Sequence, residues 1–456
     1  MTDSKSRVVV LGVSSTGEQI PAAAGRISTQ PGNALEVFSQ SQDAQKNAKL
    51  IRKVTLSGHN STVEHTVLNL AFNDVSVFVE QYVIEYRLAS YTVKSRRYVD
   101  FSDQGYYLPE FTEEQRQVFV SFVDSLFVKY NHFTEQGVPK EDARFLLPYC
   151  FRSNFYCTMN ARELLYMLRD MLYGRGSRFA ELLSLGEQLR AQLEERLPGI
   201  MTDFESRSRH GFDMPRFDDL LKKDSIEQSE TLPSVTFVTA TKDAERTVIT
   251  AALTEQEIPL SAFPFDDAGA VKEAIRRIES STRPRALETA VYSFYLHGVS
   301  LPALTHFTRH RIQSLSIPSL DRTVAGAYIL PSSVEAAGLA NDYRNAFEDC
   351  RRVASKLRAM GVPAEKLVYL RMSGTTIDFT LTMNARELLH FMKLRTCNRA
   401  QWEIREIATE MLRQLRAVSP AIFDLYGPSC YIAACPEGRL SCGRQADVKV
   451  FFNNLK

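Results

Sequence analysis

Two short runs of β-branched and apolar residues, Val8-Val9-Val10-Leu11 and Val235-Thr236-Phe237-Val238, each open a similar succession of patterns. Alternating segments at His65–Phe72 and Thr289–Leu296 predict strands. Between the second run and its alternating segment, Ala270 to Ile278 shows helical periodicity. After Leu296, Ser300 is placed to cap a helix, and Pro302 suits its first turn. Leu304, Phe307 and Thr308 carry that helix to about Arg309, and a Ser-rich loop is expected next. Later, Asn160 and Asn384 each stand at the start of an apolar-periodic stretch, where an Asn or the nearby Thr can cap a long helix. The second of these helices is expected to pass through His390, Phe391, Leu394 and Arg395 to Trp402 and beyond. Strands and helices mix without regular βαβ alternation, so the fold class is α+β.

The succession is doubled because the chain is. Thr158-Met159-Asn160-Ala161-Arg162-Glu163-Leu164-Leu165 recurs identically from Thr382 to Leu389, an offset of 224. The same offset pairs Glu64 with Glu288, Val67 with Val291, Arg87 with Arg311, Ser90 with Ser314 and Ser95 with Ser319. One offset across distant segments means duplication of a whole unit, far longer than a solenoid repeat. The domains are read as residues 1–215 and 230–456, joined through the polar stretch Glu205–Ser234 with its Arg207, Arg209, Lys222, Lys223 and Asp224.

Charge narrows the partners. Net charge is +1, from 55 basic and 54 acidic residues, which argues against a polymeric nucleic-acid partner. No apolar run reaches membrane-spanning length, so no membrane is expected. The start of the chain is too short in apolar residues for a signal peptide. The 7 cysteines are widely spaced, and the expected compartment is the reducing cytoplasm.

Four clusters stand out, each with a bland alternative. Arg309-His310-Arg311 leads into Ile312 through Ser319; it suits an anion, or simply a helix C-terminus. Arg386, His390 and Leu394 line one helix face, with Asn384 and Arg395 close by, and a solvated amphipathic face explains them equally well. Ser95-Arg96-Arg97-Tyr98, with Arg144, fits a phosphate or a solvated basic turn. His59, Ser61 and Glu64 precede a strand, where a histidine is more often structural.

Taken together the clusters resemble one family. Arg309-His310-Arg311, seven residues, then Ser319 is similar to the signature of the flavin-dependent thymidylate synthases. So is Asn384 through Arg395 followed by Ala400-Gln401-Trp402-Glu403-Ile404-Arg405. Gly58 to Ser61, Glu64-His65, Arg87 to Tyr98 and Ala143-Arg144 to Pro148 resemble the same family in the first half. The resemblance implies two tandem copies of that fold, a mixed sheet with long helices forming a pseudo-dimer. It implies reductive methylation of dUMP to dTMP, with FAD as cofactor and methylenetetrahydrofolate and NADPH as co-substrates. Family sites are shared between subunits of a homotetramer, so a homodimer of this chain acting as a pseudo-tetramer is expected.

By the resemblance, Arg309, His310, Arg311, Asn384, Arg386 and His390 contact flavin, as do His59, Ser61 and Glu64. Arg395 is the catalytic residue that stabilises the N3-ionised uracil. Ser95, Arg96, Arg97, Arg144, His306, Arg309 and Arg395 bind substrate. No metal is implied. The losses are complementary: Glu85-Tyr86-Arg87 replaces Arg-His-Arg in the first half, Met171 stands for Arg395, and Asp321 takes the Arg97 position in the second. A carboxylate there repels a phosphate. One competent composite site between the repeats and one dead site are therefore expected, and substitution of Asp321 should do little. Val93 replaces the family's acidic residue and His306 its glutamine. These departures keep two alternatives in view: a related enzyme acting on another pyrimidine nucleotide, and a non-catalytic flavin or nucleotide-binding homologue. Cys430, Cys435 and Cys442 are read as structural thiols in preference to zinc ligands, and Gly12 to Gly17 as a turn.

Overall fold

The computed structural model describes residues 5–96, 99, 101, 104–209, 232–321 and 326–455. Its contacts divide into two compact units, residues 1–228 with 320–325 and 331–373, and residues 229–319 with 326–330 and 374–456. The units do not follow the repeats along the chain. Part of the second repeat belongs to unit one, where helix Ala340–Ala359 packs on helix Glu113–Glu135.

Each unit holds one four-stranded sheet. In unit one the strands are β1 (Arg7–Val13), β2 (Val67–Ser76), β3 (Ala89–Val93) and β4 (Arg152–Asn160), in the order β1-β2-β4-β3. Unit two has β5 (Ser234–Ala240), β6 (Val291–Ser300), β7 (Gln313–Ser316) and β8 (Thr376–Asn384), in the order β5-β6-β8-β7. All the described strand pairs are antiparallel. Register repeats with the sequence: Val67 lies opposite Asn160, and Val291 opposite Asn384.

Three expectations need adjusting. The alternating strands start two residues late, because His65 and Thr289 close short 3-10 turns at Asn60–His65 and Arg285–Thr289. The Ser-rich segment is not all loop: Gln313–Ser316 forms the edge strand β7, whose residues pair with Met383 to Thr380. The last helix of the motif stops at Arg395 instead of continuing to Trp402. Thr396 turns its hydroxyl back onto the Met392 carbonyl at 2.6 Å, and Gln401 caps a new helix by accepting the Ile404 amide at 3.0 Å. Of the expected linker, Phe204–Ser208 is a short helix with Phe204 buried, and Arg207 donates to the Ile200 and Thr202 carbonyls. Lys222, Lys223 and Asp224 lie outside the described residues.

Both central strands bend at the same place. Asp74 and Gly298, 224 residues apart, have φ of 50° and 67°. In the left-handed region a glycine is unstrained, and an aspartate is among the few tolerated alternatives. Asn154 accepts the Asp74 amide at 2.9 Å, and Asp378 accepts the Gly298 amide at 2.8 Å. Each bend delivers the chain into a short buried helix, α1 (Val77–Val83) or, further on, Leu301–Phe307.

Ser76 and Ser300 cap these two helices. Each cap is gripped by a buried carboxylate. Glu181, in helix Ala180–Arg196, accepts the Ser76 amide at 2.8 Å and its hydroxyl at 2.6 Å. Glu403, in helix Trp402–Val418, accepts the Ser300 amide at 2.7 Å and also its hydroxyl. The pin sets where the short helix begins, and therefore where the residues after it arrive.

Glu403→Ala would leave the buried Ser300 amide without its acceptor. It is expected to cost about 1–3 kcal/mol and to lower the melting temperature in a thermal scan. Glu406→Ala, at an exposed position one turn on, is expected to leave it nearly unchanged.

Candidate active site

The remaining helices of the site are α2 (Ala161–Tyr173), α3 (Leu301–Phe307) and α4 (Ala385–Arg395). The chain leaves α3 in a tight turn that carries Arg309, His310 and Arg311. Gln313 clamps that turn: its amide nitrogen donates to the carbonyls of Phe307 and His310, both at 2.6 Å. Asn384 caps α4 by accepting the Glu387 amide at 2.9 Å. These two devices bring His310 against the first turns of α4.

His310 is 3 % exposed, and each ring nitrogen has a partner. Nδ1 lies 2.8 Å from Glu387 Oε1, and Nε2 lies 3.1 Å from Arg395 Nε. A guanidinium only donates, so Nε2 must accept and the proton must sit on Nδ1. Burial holds the imidazole below its usual pKa despite Glu387, and Arg395 adds to the effect. Burial, with Arg309 nearby, pushes Arg395 down to about 10. The rings of Phe391 and His390 stand edge-on to His310 at 4.9 and 5.6 Å. Arg309, Arg311 and His390 are exposed and Arg395 is half-buried, while His306 is buried within α3. Arg386 is ion-paired with Glu288.

Unit one shows what became of the other copy. Tyr86 occupies the His310 position and Met171 that of Arg395. The Tyr86 and Tyr82 hydroxyls both donate to Asp170, at 2.7 and 2.6 Å. Arg175 Nε joins the same carboxylate at 2.8 Å, and its other arm reaches Glu85 at 2.8 Å. Glu85 stands where Arg309 does in the second repeat. Gly176 lies close enough that a Cβ there would meet the Tyr82 hydroxyl at 2.7 Å and the Met171 backbone at 2.9 Å. This copy has answered its own charges with neighbouring side chains.

Some predicted residues serve both copies alike. Glu64 pairs with Arg162 at 2.5 Å as Glu288 does with Arg386, and Asn160 caps α2 as Asn384 caps α4. His59 and Ser61 are exposed.

On the phosphate side, Arg96 is buried and ion-paired with Glu80, which also accepts the Ser153 hydroxyl at 2.5 Å. Arg144 is buried, with Nε donating to the Glu141 carbonyl at 2.9 Å. Ser95 is half-buried; Arg97 and Tyr98 lie outside the described residues. In the second copy of this loop, Asp321 is 5 % exposed and takes both arms of Arg178, at 2.8 and 3.0 Å, within unit one. A bidentate pair on a buried carboxylate gives Asp321 a structural role that the sequence did not show.

Sequence reasoning missed Glu387, Gln313, Arg178, Asp170 and Arg175. Gln313 and Glu387 lay inside motifs, but nothing marked either for its role, and Glu163, the identical counterpart of Glu387, gave no sign of one. The cavity of about 410 Å³ in unit two, lined by Thr396, Arg405, Arg444 and Phe451 among others, contains none of the predicted residues. All seven cysteines are free, and among the described residues no group of three or more His, Cys, Asp or Glu is spaced to hold a metal ion. Among the described residues no helix is long and apolar enough to cross a membrane.

Comparison with known proteins bears directly on the duplication. The profile of the thymidylate synthase complementing protein family matches twice, at residues 10–198 and 236–421. A flavin-dependent thymidylate synthase of Geobacter sulfurreducens is 37% identical over 193 residues, covering 41% of this chain and 83% of that protein. One from Clostridium tetani is 31% identical over 207 residues, covering 40% of this chain and 81% of its own. A crystal structure of the UMP/dUMP methylase PolB from Streptomyces cacaoi, bound with 5-Br dUMP, aligns with TM-score 0.40 and 22% identity over 45% of this chain and 97% of that one. Two matches to one profile, set on two sheets of identical strand order, make this chain an enzyme of the thymidylate synthase complementing protein family, carrying two tandem copies of the family domain.

Proposed function

We propose that this enzyme methylates dUMP reductively to dTMP, with methylenetetrahydrofolate as carbon donor, FAD as cofactor and NADPH as the source of reducing equivalents. The observation that carries the reading is the unequal fate of the two copies. In the second repeat the half-buried guanidinium of Arg395 donates to the buried His310, beside the exposed Arg309 and His390. In the first repeat the same positions are filled by a self-satisfied Tyr–Asp–Arg–Glu network.

The donor set of the second repeat suits an anionic dinucleotide flavin, with Arg309, Arg311, Arg386 and His390 to hold it. Bound there, the flavin would supply hydride. Arg395 would meet the uracil: a guanidinium in a water-poor site stabilises an N3-deprotonated ring far better than the same group in bulk water. Ser95, Arg97 and Arg144 of the first repeat would hold the 5′-phosphate, for which arginine forks are the best-matched side chains. Division of labour between residues 1–215 and 230–456 is part of this reading, as is a homodimer supplying four family domains. Val93, a half-buried apolar residue on the edge strand β3, favours one second reading, in which another pyrimidine nucleotide is the substrate.

Three outcomes test the proposal. The purified protein should form dTMP from dUMP, methylenetetrahydrofolate and NADPH; turnover of UMP or a cytidine nucleotide alone would favour the second reading. Arg395→Ala and Arg97→Ala should each lower kcat/KM by roughly a hundredfold or more, and a fully active Arg97→Ala enzyme would remove the first repeat from the chemistry. Calorimetric titration should find one dUMP per chain; two would mean that the first-repeat copy still binds. Asp321→Asn should keep its activity per folded molecule while losing about 1 kcal/mol of stability, because Arg178 is partly solvated and screens the loss.

A further inference from the structure

The Glu387–His310–Arg395 chain has a direction. Glu387 and Arg395 lie on one face of α4, two turns apart, and His310 bridges them from the preceding turn. Of the two neutral tautomers only one fits. With the proton on Nδ1, Glu387 accepts it and the Nε2 lone pair faces Arg395 Nε–H. With the proton on Nε2, two donors would oppose each other at 3.1 Å and the carboxylate would face a lone pair.

The charged groups around the ring are Glu387, His390 and Arg395 on α4 and Arg309 beside it. Of these only Glu387 meets Nδ1 with an acceptor, at 2.8 Å, so it is what selects the tautomer. Its own place is fixed by the Asn384 cap on its amide. The Arg395 contact to His310 uses Nε alone. Among the described residues nothing accepts from its two terminal amino groups, which form the edge that can meet a ligand.

We infer that Glu387 is a positioning residue for the reaction. It fixes His310 with Nε2 unprotonated, and His310 in turn holds the Arg395 guanidinium with its terminal edge presented to the substrate base. The contrast with the first repeat supports this. There the equivalent carboxylate, Glu163, accepts the Leu88 amide at 3.4 Å, Tyr86 bonds to Asp170 instead, and Met171 offers nothing to orient. The inference rests on reading Arg395 as the residue that meets the uracil, but the tautomer does not.

The test therefore has two arms, run on the full-length protein. The first is 15N NMR of histidine-labelled protein, with the His310 resonance assigned through His310→Gln. The wild type should show Nδ1 protonated and Nε2 bare. Glu387→Ala should erase that preference, whereas Glu387→Gln, which keeps an acceptor oxygen, should retain it. The second arm is dTMP formation with dUMP. Glu387→Ala should lose roughly tenfold to a hundredfold in kcat, as outer partners of functional histidines commonly do, and Glu387→Gln should recover most of it.

An Nε2-protonated His310 in the wild type would overturn the inference. So would a folded Glu387→Ala protein with an unchanged tautomer or unchanged kcat. If Glu387→Ala does not fold, the glutamine variant decides: loss of the tautomer preference in spite of its acceptor overturns the assignment, and retention upholds it. A wild type that shows the expected tautomer but makes no dTMP would refute the substrate reading and leave the His310 geometry standing.

Discussion

A buried charge without a partner is the constraint around which both repeats are arranged. An ionised group moved from water into the interior costs several kcal/mol unless something answers it. The fold repeatedly places ionisable side chains in such positions: at the pinned serine caps, at the turn after the short helix, and at the loop following β3 or β7. At each place the chain has one of two solutions, an internal partner or a surface arranged for an external ligand. Glu181 and Glu403 show the first, each accepting the backbone amide and the hydroxyl of its serine cap.

The same constraint explains why the two copies diverged in a complementary way. With Asp170, Tyr82 and Arg175 joined in a network, a histidine at position 86 or an arginine at 171 would have no environment that suits it. In the second repeat Asp321, engaged by Arg178, takes the position that Arg97 holds in the first. Neither change is a ruin. Each gives its element an internal partner that the matching element of the other repeat lacks.

The sequence was most legible where the information is local. The Ser300 and Asn384 caps, the β-branched openings and the 224-residue offset needed only neighbouring residues or a self-comparison, and the structure has all of them. Legibility failed where the partner is distant in the chain. Arg178 and Asp321 are 143 residues apart, and no local pattern marks either as half of a pair. The Ser-rich segment looked like loop because Gln313–Ser316 becomes a strand only through pairing with β8. The helix of the motif was expected to reach Trp402, but the polar stretch Thr396–Gln401 separates it from a second helix that Gln401 caps. Arg96 lay in a basic run that suggested a phosphate, yet Glu80, sixteen positions earlier, had already claimed it.

Glu387 shows the limit of motif reading from the other side. It belongs to an octapeptide shared letter for letter by both repeats, so identity alone assigned it no more meaning than its neighbours. Its role depends on what the turn after α3 presents to it, histidine in one repeat and tyrosine in the other. Reversing the divergence would therefore not follow from single replacements. Histidine at 86 would meet Asp170 and Arg175, and arginine at 171 would enter a fully buried site beside a cation already paired. Each change alone leaves an unanswered group, so their effects would be strongly non-additive. That coupling makes the first-repeat network a stable end point, while in the second repeat the half-buried Arg395 is held by His310 alone among the described side chains.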